Sequence, residues 1–238
     1  MAFKVPSGRM FGPKDINLMR DFDKVNFLSW SEKPFLLNSK NESNIYLGGR
    51  HEFTDNPRLL KRIGARIMDS IRFGESGRDG SVYCLIGVPM AGIALAAAGY
   101  AAEVSDTNTA FKPKTCLRLM RQVKKTHGRK SEQGWVIGKP DYEAHQYALI
   151  ENTTTTGGSI IEAAERIAED GYELSKIDCV IFVDRGQGAL RALSKVGFRR
   201  IVVVYHLLDI TFAYRKLGLW PEFALDRVEL EIKSRQLV

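Results

Sequence analysis

Three cysteines in 238 residues, an odd number with no CxxC spacing, leave no basis for a disulfide framework and make a thiolate zinc site a poor reading. Cys84, Cys116 and Cys179 sit mainly in apolar runs and read as small buried residues. His51, His145 and His206 show no metal-ligand spacing. No stretch approaches the roughly 20 apolar residues needed to cross a bilayer, and Met1-Ala2-Phe3-Lys4 leads into no signal-type apolar run. A cytoplasmic protein without membrane contact is expected. With only 8 prolines and no low-complexity tract beyond one run of threonines, a disordered chain is a poor reading too. What is present, 44% hydrophobic and 26% charged residues, is the composition of a folded protein with one sizeable core. Lys+Arg 35 against Asp+Glu 28 gives a net +7, which suits a polyanionic ligand, either nucleic acid or a phosphate-rich metabolite.

The segment 55–72, DNPRLLKRIGARIMDSIR, spaces Leu59, Leu60, Ile63, Ile67 and Ile71 by three and four. It predicts an amphipathic helix with Asn56 as cap and Pro57 in the first turn. SVYCLIGVP (81–89) is a continuous apolar run typical of a buried strand, followed by MAGIALAAAGYAAE, whose small residues suit a helix packed closely on a sheet. Further strands are predicted at 115–121, 146–151, 178–184 and 200–205, with helices over GSIIEAAERIAEDG and GALRALSKVG between them. This alternation predicts an α/β fold with a mostly parallel sheet flanked by helices and an active site beyond the carboxyl ends of the strands. Residues 1–50 read as mixed and loop-rich. With the last thirty residues they are expected to form a small hood on a single domain spanning 1–238, whose core covers about 55–205.

The stretch ALIENTTTTGGSI (148–160) carries the chemistry. Gly157 and Gly158 let the backbone turn so that successive amides face one phosphate; the following helix adds its positive end, and Thr153, Thr154, Thr155, Thr156 and Ser159 add hydroxyls. Glu151 and Asn152, at the strand end, can accept hydrogen bonds from vicinal ribose hydroxyls. The stretch therefore reads as a site for a phosphorylated sugar; the alternative is an ordinary strand-to-helix turn capped by Thr or Ser. Arg185 follows a strand and precedes Gly186-Gln187-Gly188, so its guanidinium could meet a substrate carboxylate at the sheet edge.

The 148–160 stretch resembles the phosphoribosyl-diphosphate signature of type I phosphoribosyltransferases, and four other stretches are similar to orotate phosphoribosyltransferases. IGVPMAGIALA (86–96) resembles that family's pyrophosphate loop, MRQVKKTHGRK (120–130) its mobile catalytic loop, FVDRGQGA (182–189) the segment after a core strand, and FLLNSKNESNIYL (35–47) its amino-terminal base-binding segment. The resemblance implies a type I phosphoribosyltransferase-like fold and transfer of phosphoribosyl from phosphoribosyl diphosphate to orotate, giving orotidine monophosphate and pyrophosphate. It implies Mg²⁺ held mainly by substrate oxygens, and a homodimer in which the mobile loop closes over the neighbour's site. Nucleic acid is then not the expected partner. It places Val88, Pro89, Met90 and Ala91 on the diphosphate, and Arg121, Lys125 and His127, aided by Lys124 and Lys130, over the leaving group, with Glu151 beside the sugar. Arg185, Asn38, Lys40 and Tyr46 fall in the base-binding positions.

The chain departs from the pattern at several of these places. Asn152 stands for the second acid of the usual pair, Gln122 for the first loop lysine, Asn38 for the amino-terminal lysine, and Gly186 and Ala189 for a Glu and a Gly after Arg185. On the sequence alone, an acid restored at 152 is expected to raise turnover. Two other readings stay open: a weakly active or inactive paralogue that binds phosphoribosyl diphosphate or a nucleotide as a sensor, and a phosphoribosyltransferase for another base.

Overall fold

The helical spacing of Leu59, Ile63, Ile67 and Ile71 produces α3 (Pro57–Arg72), with all four side chains buried. The structure, a computed structural model, describes residues 2–36, 42–72, 82–105, 115–129 and 133–236. Five parallel strands make the central sheet: β5 (Tyr83–Gly87), β6 (Thr115–Arg118), β9 (Gln146–Thr154), β10 (Ile177–Asp184) and β11 (Arg200–His206). Their order is β11–β10–β9–β5–β6, and every residue of β5 and β10 is buried, as continuous apolar runs between two helical layers require. The connecting helices are α4 (Ala91–Ser105), α5 (Gly158–Glu169) and α6 (Ala189–Leu193). The architecture is the expected one.

Three local differences bear on the site. The strand expected over 115–121 divides at Leu119: β6 stays in the sheet, while β7 (Met120–Lys125) leaves it to pair antiparallel with β8 (Gly134–Val136) as a separate ribbon. β9 runs three residues beyond Glu151, because Thr153 and Thr154 pair with Val183 and Asp184 of β10. The last predicted helix shrinks to the short α6, ahead of Gly197 in its left-handed conformation.

The amino-terminal region is more regular than expected. It contains β1 (Phe3–Lys4), β2 (Met10–Phe11), α1 (Pro13–Lys24), the antiparallel hairpin of β3 (Leu28–Leu36) and β4 (Glu42–Leu47), and the short α2 (His51–Thr54). Ile16, Met19 and Phe22 recur at three-residue steps behind Pro13 at the first turn, which is why α1 forms. After β11 come α7 (Leu207–Leu217) and α8 (Glu222–Gln236). Phe11, Phe22, Phe27, Phe53, Phe182 and Tyr205 pack ring against ring, so the amino-terminal elements share one hydrophobic cluster with the sheet and with Leu225, Val228 and Ile232 of α8. At the amino-terminal end of β10 and β11, fully buried Asp178 accepts from both Arg199 and Arg200, an ion cluster on the side away from the cleft described below.

Candidate active site

At the carboxyl end of β9, residues 151–154 lead into the loop 155–157 and then into α5. Gly157 takes the left-handed conformation at φ 89°, and α5 begins at Gly158, so the first amides of that helix have no intrahelical partner and point out of its amino end. A cleft of about 500 Å³ lies there. Its walls are Glu151, Asn152, the four threonines, Gly157, Gly158 and Ser159 on one side, Pro89, Met90 and Ala91 on a second, and Tyr46, Leu47, Gly48 and Arg50 of the hood on a third. Arg185 closes the end.

The strand-end side chains carry unused hydrogen-bonding capacity. Asn152 Oδ1 and Thr153 Oγ1 are buried without a partner, a state that costs folding free energy unless something fills it. Glu151 Oε1 accepts the Asn152 amide at 2.7 Å. Burial drives the Glu151 carboxyl up to about 7, with that one hydrogen bond opposing the rise. Asn152 Nδ2 donates to the Gly48 carbonyl at 3.3 Å and packs on Gly49, which is left-handed at φ 105°. Strand and hood thus meet through a bond that needs an amide donor.

Arg185 is nearly fully buried. Its Nη2 donates to Ser43 Oγ at 2.7 Å and to the Ile45 carbonyl at 3.2 Å, and its own amide donates to the Thr154 carbonyl at 3.0 Å. The residue joins β10, β9 and the hood strand β4 while facing the cleft.

Among the positions expected on the diphosphate, one falls elsewhere, and the residues of the mobile loop, expected over a neighbouring subunit's site, are not walls of this cleft. Val88 does not line the cleft: its side chain is buried in the core and its amide donates to the Ile150 carbonyl, which leaves Pro89, Met90 and Ala91 as the exposed part of that turn. Arg121, Lys125 and His127 lie on the β7 ribbon and the turn after it, outside the wall of their own chain's cleft. Lys124 Nζ is held by Glu169 of α5 at 2.7 Å. Asn38, Lys40 and Lys130 lie outside the described residues. Arg50 and the Gly48–Gly49 turn were not anticipated from the sequence, where the only signal is a Gly-Gly-Arg run after an apolar strand.

The ribbon is pinned at its base. Asp170, just past α5, accepts the amides of Trp135 and Val136 at 2.7 Å each; Glu169 accepts the Trp135 indole N–H at 2.9 Å, and the Arg166 guanidinium lies 4.5 Å from the same ring. The helix whose amino end faces the cleft therefore holds the cationic ribbon at its other end.

A second cleft, about 410 Å³, lies on the other side of Arg185 at the ends of β10 and β11. Two pairs of its polar groups meet: Asp209 accepts from Ser7, and His206 lies 3.4 Å from Asp184, whose hydrogen bond raises the imidazole pKa. Among the described residues no group of three or more His, Cys, Asp or Glu side chains converges as a metal site. The first cleft offers the Glu151 carboxylate and threonine hydroxyls, oxygen donors of the kind a hard cation takes.

A parallel five-stranded sheet, a phosphate-shaped loop between β9 and α5, and a hood over the strand ends define a type I phosphoribosyltransferase fold. No family model matches the chain. The orotate phosphoribosyltransferase of Pyrococcus abyssi is 33% identical over 184 residues, covering 77% of this chain and 87% of that protein. That of Methanocaldococcus jannaschii is 30% identical over 191 residues, covering 80% and 92%. The crystal structure of orotate phosphoribosyltransferase from Aeropyrum pernix shares the fold, with a TM-score of 0.60 at 22% identity, over 86% of this chain and 99% of that one. The chain belongs to the orotate phosphoribosyltransferase family.

Proposed function

We propose that the protein transfers the phosphoribosyl group of phosphoribosyl diphosphate to a ring nitrogen of orotate, releasing pyrophosphate and forming orotidine monophosphate. The observation that carries this reading is the strand end itself. Glu151, Asn152 and Thr153 present buried, underused acceptors directly before a loop and helix end built for a phosphate. Residues 155–159 hold the 5-phosphate through backbone amides and hydroxyls. Glu151, once ionised, accepts a ribose hydroxyl and stabilises the positive charge that grows on the sugar as the leaving group departs.

Mg²⁺ bound to the diphosphate supplies charge neutralisation on the leaving group. Arg121, Lys125 and His127 add mobile donors to the same oxygens. Their position outside the cleft of their own chain supports a homodimer in which each ribbon serves the neighbouring cleft. Closure of such a ribbon excludes water from a reactive sugar. The test is incubation of the protein with phosphoribosyl diphosphate, Mg²⁺ and orotate. Orotidine monophosphate and pyrophosphate are expected in equal amounts; absence of both with a folded protein overturns the proposal.

A further inference from the structure

We propose that Glu231, on the carboxyl-terminal helix α8, is a specificity-determining residue that sets how strongly the base end of the cleft takes an anionic base. The inference deepens the proposed orotate transfer and rests on it. Glu231 stands behind Arg185 and does not line the cleft itself. Its Oε1 lies 3.8 Å from Arg185 Nη2, with side-chain exposures of 12% and 2%. The same oxygen accepts from Gln187 Nε2 at 3.4 Å, while Oε2 accepts the Asn44 amide at 3.2 Å. One carboxylate from the far end of the chain thus gathers the hood strand, the turn after β10 and the guanidinium that faces the substrate.

The electrostatic consequence follows from burial. Charges this close, shielded from water, influence each other strongly. Glu231 offsets much of the field that Arg185 projects into the cleft. Asp184, another acid near this turn, is committed to the Gly186 amide and to His206. An incoming carboxylate therefore competes with an internal one for the same guanidinium. Glu231 touches neither the base nor the reacting atoms in this arrangement. It acts through Arg185 by holding and partly neutralising it.

The test is Glu231→Gln, which keeps the shape and an acceptor for the Asn44 amide but removes the charge. Binding is measured calorimetrically for orotate, for uracil, which is the same ring without the carboxylate, and for phosphoribosyl diphosphate. Orotate should bind at least about fivefold more tightly than to the wild type, while the other two change less than about twofold. The unliganded variant should melt lower, because a buried guanidinium has lost an acid partner, and saturating orotate should raise its melting temperature by more than it raises that of the wild type. Equal changes for all three ligands, or no tightening for orotate, overturn the proposal. Whether the wild type forms orotidine monophosphate judges the proposed activity separately. If the wild type fails to bind orotate, gain of binding in the variant still supports the role of Glu231, and absence in both overturns it. Should Glu231→Gln not fold, Glu231→Asp, which draws the charge back by one carbon, should tighten orotate in the same direction by a smaller factor; no change overturns the idea.

Discussion

At the scale of single residues, the cleft turns on Glu151 and Asn152. Burial raises the Glu151 carboxyl from its ordinary value near 4.5 to about 7, so folding favours the protonated form. Its contribution to stability is fully present below about pH 4.5 and is lost as the pH rises through about 7, a difference on the order of 3 kcal/mol. Melting of Glu151→Gln should therefore change less than that of the wild type across this window. Activity should run the other way, since the ionised acid is the better acceptor and the better partner for a ribosyl cation. The wild-type rate should climb through about pH 7, and a pH-rate profile of Glu151→Gln should lack that limb. At the neighbouring position the structure revises the sequence-level expectation that an acid would restore turnover. Asn152 donates to the Gly48 carbonyl, which a carboxylate cannot do, and a second acid would sit beside Glu151. Asn152→Asp is expected to lose about 1–3 kcal/mol of stability with no rise in turnover; a faster enzyme with an unchanged denaturation midpoint would show that the amide is a simple loss.

At the scale of elements, the two glycines of the phosphate loop separate fold from function. A side chain at Gly157 would be strained by its left-handed backbone and would meet Leu193 of α6, so its substitution injures the fold and not the phosphate seat alone. At Gly158 the added carbon meets nothing closer than Thr156 Oγ1 at 4.0 Å, on the cleft side. Gly158→Val should cut the affinity for phosphoribosyl diphosphate at least about tenfold in calorimetry, while the melting temperature stays close to that of the wild type. At the other end of α5, Asp170→Ala strands two amide donors of β8 and should cost about 3 kcal/mol in chemical denaturation. The parallel sheet and α3 are legible in the sequence because their apolar periodicity is local, and the phosphate loop because glycine, threonine and a helix start must adjoin in sequence to work. The resemblance picks out the loop over 120–130, but its pairing as the β7–β8 ribbon is not legible, since its anchor beside α5 lies more than thirty residues away. Arg50 and Glu231 escape notice for the same reason: each reaches the cleft or its wall through a tertiary approach that leaves no spacing in the sequence.

At the scale of the whole molecule, the proposed exchange of ribbons between subunits can be tested by mixing. Lys125→Ala and Gly158→Val proteins, each of low activity, should regain activity on subunit exchange, because one cleft in each mixed dimer then has both an intact loop and an intact ribbon. No recovery despite exchange proven by native mass spectrometry would assign each ribbon to its own chain. The contacts that join the amino-terminal region to the rest of the molecule span almost the full chain: Ser7 bonds Asp209 across 202 residues, Tyr205 bonds Asp15 across 190, and Asn44 bonds Glu231 across 187. On the ribosome, the hairpin of β3 and β4 leaves the exit tunnel long before the helix that will fasten it. Until α8 emerges, the hairpin lacks the bond from the Asn44 amide to Glu231 and the packing of Trp30 on Phe223, and that part of its apolar surface stays open to chaperones and to other nascent chains. Emergence of α8 thus fastens a hairpin that was translated long before it.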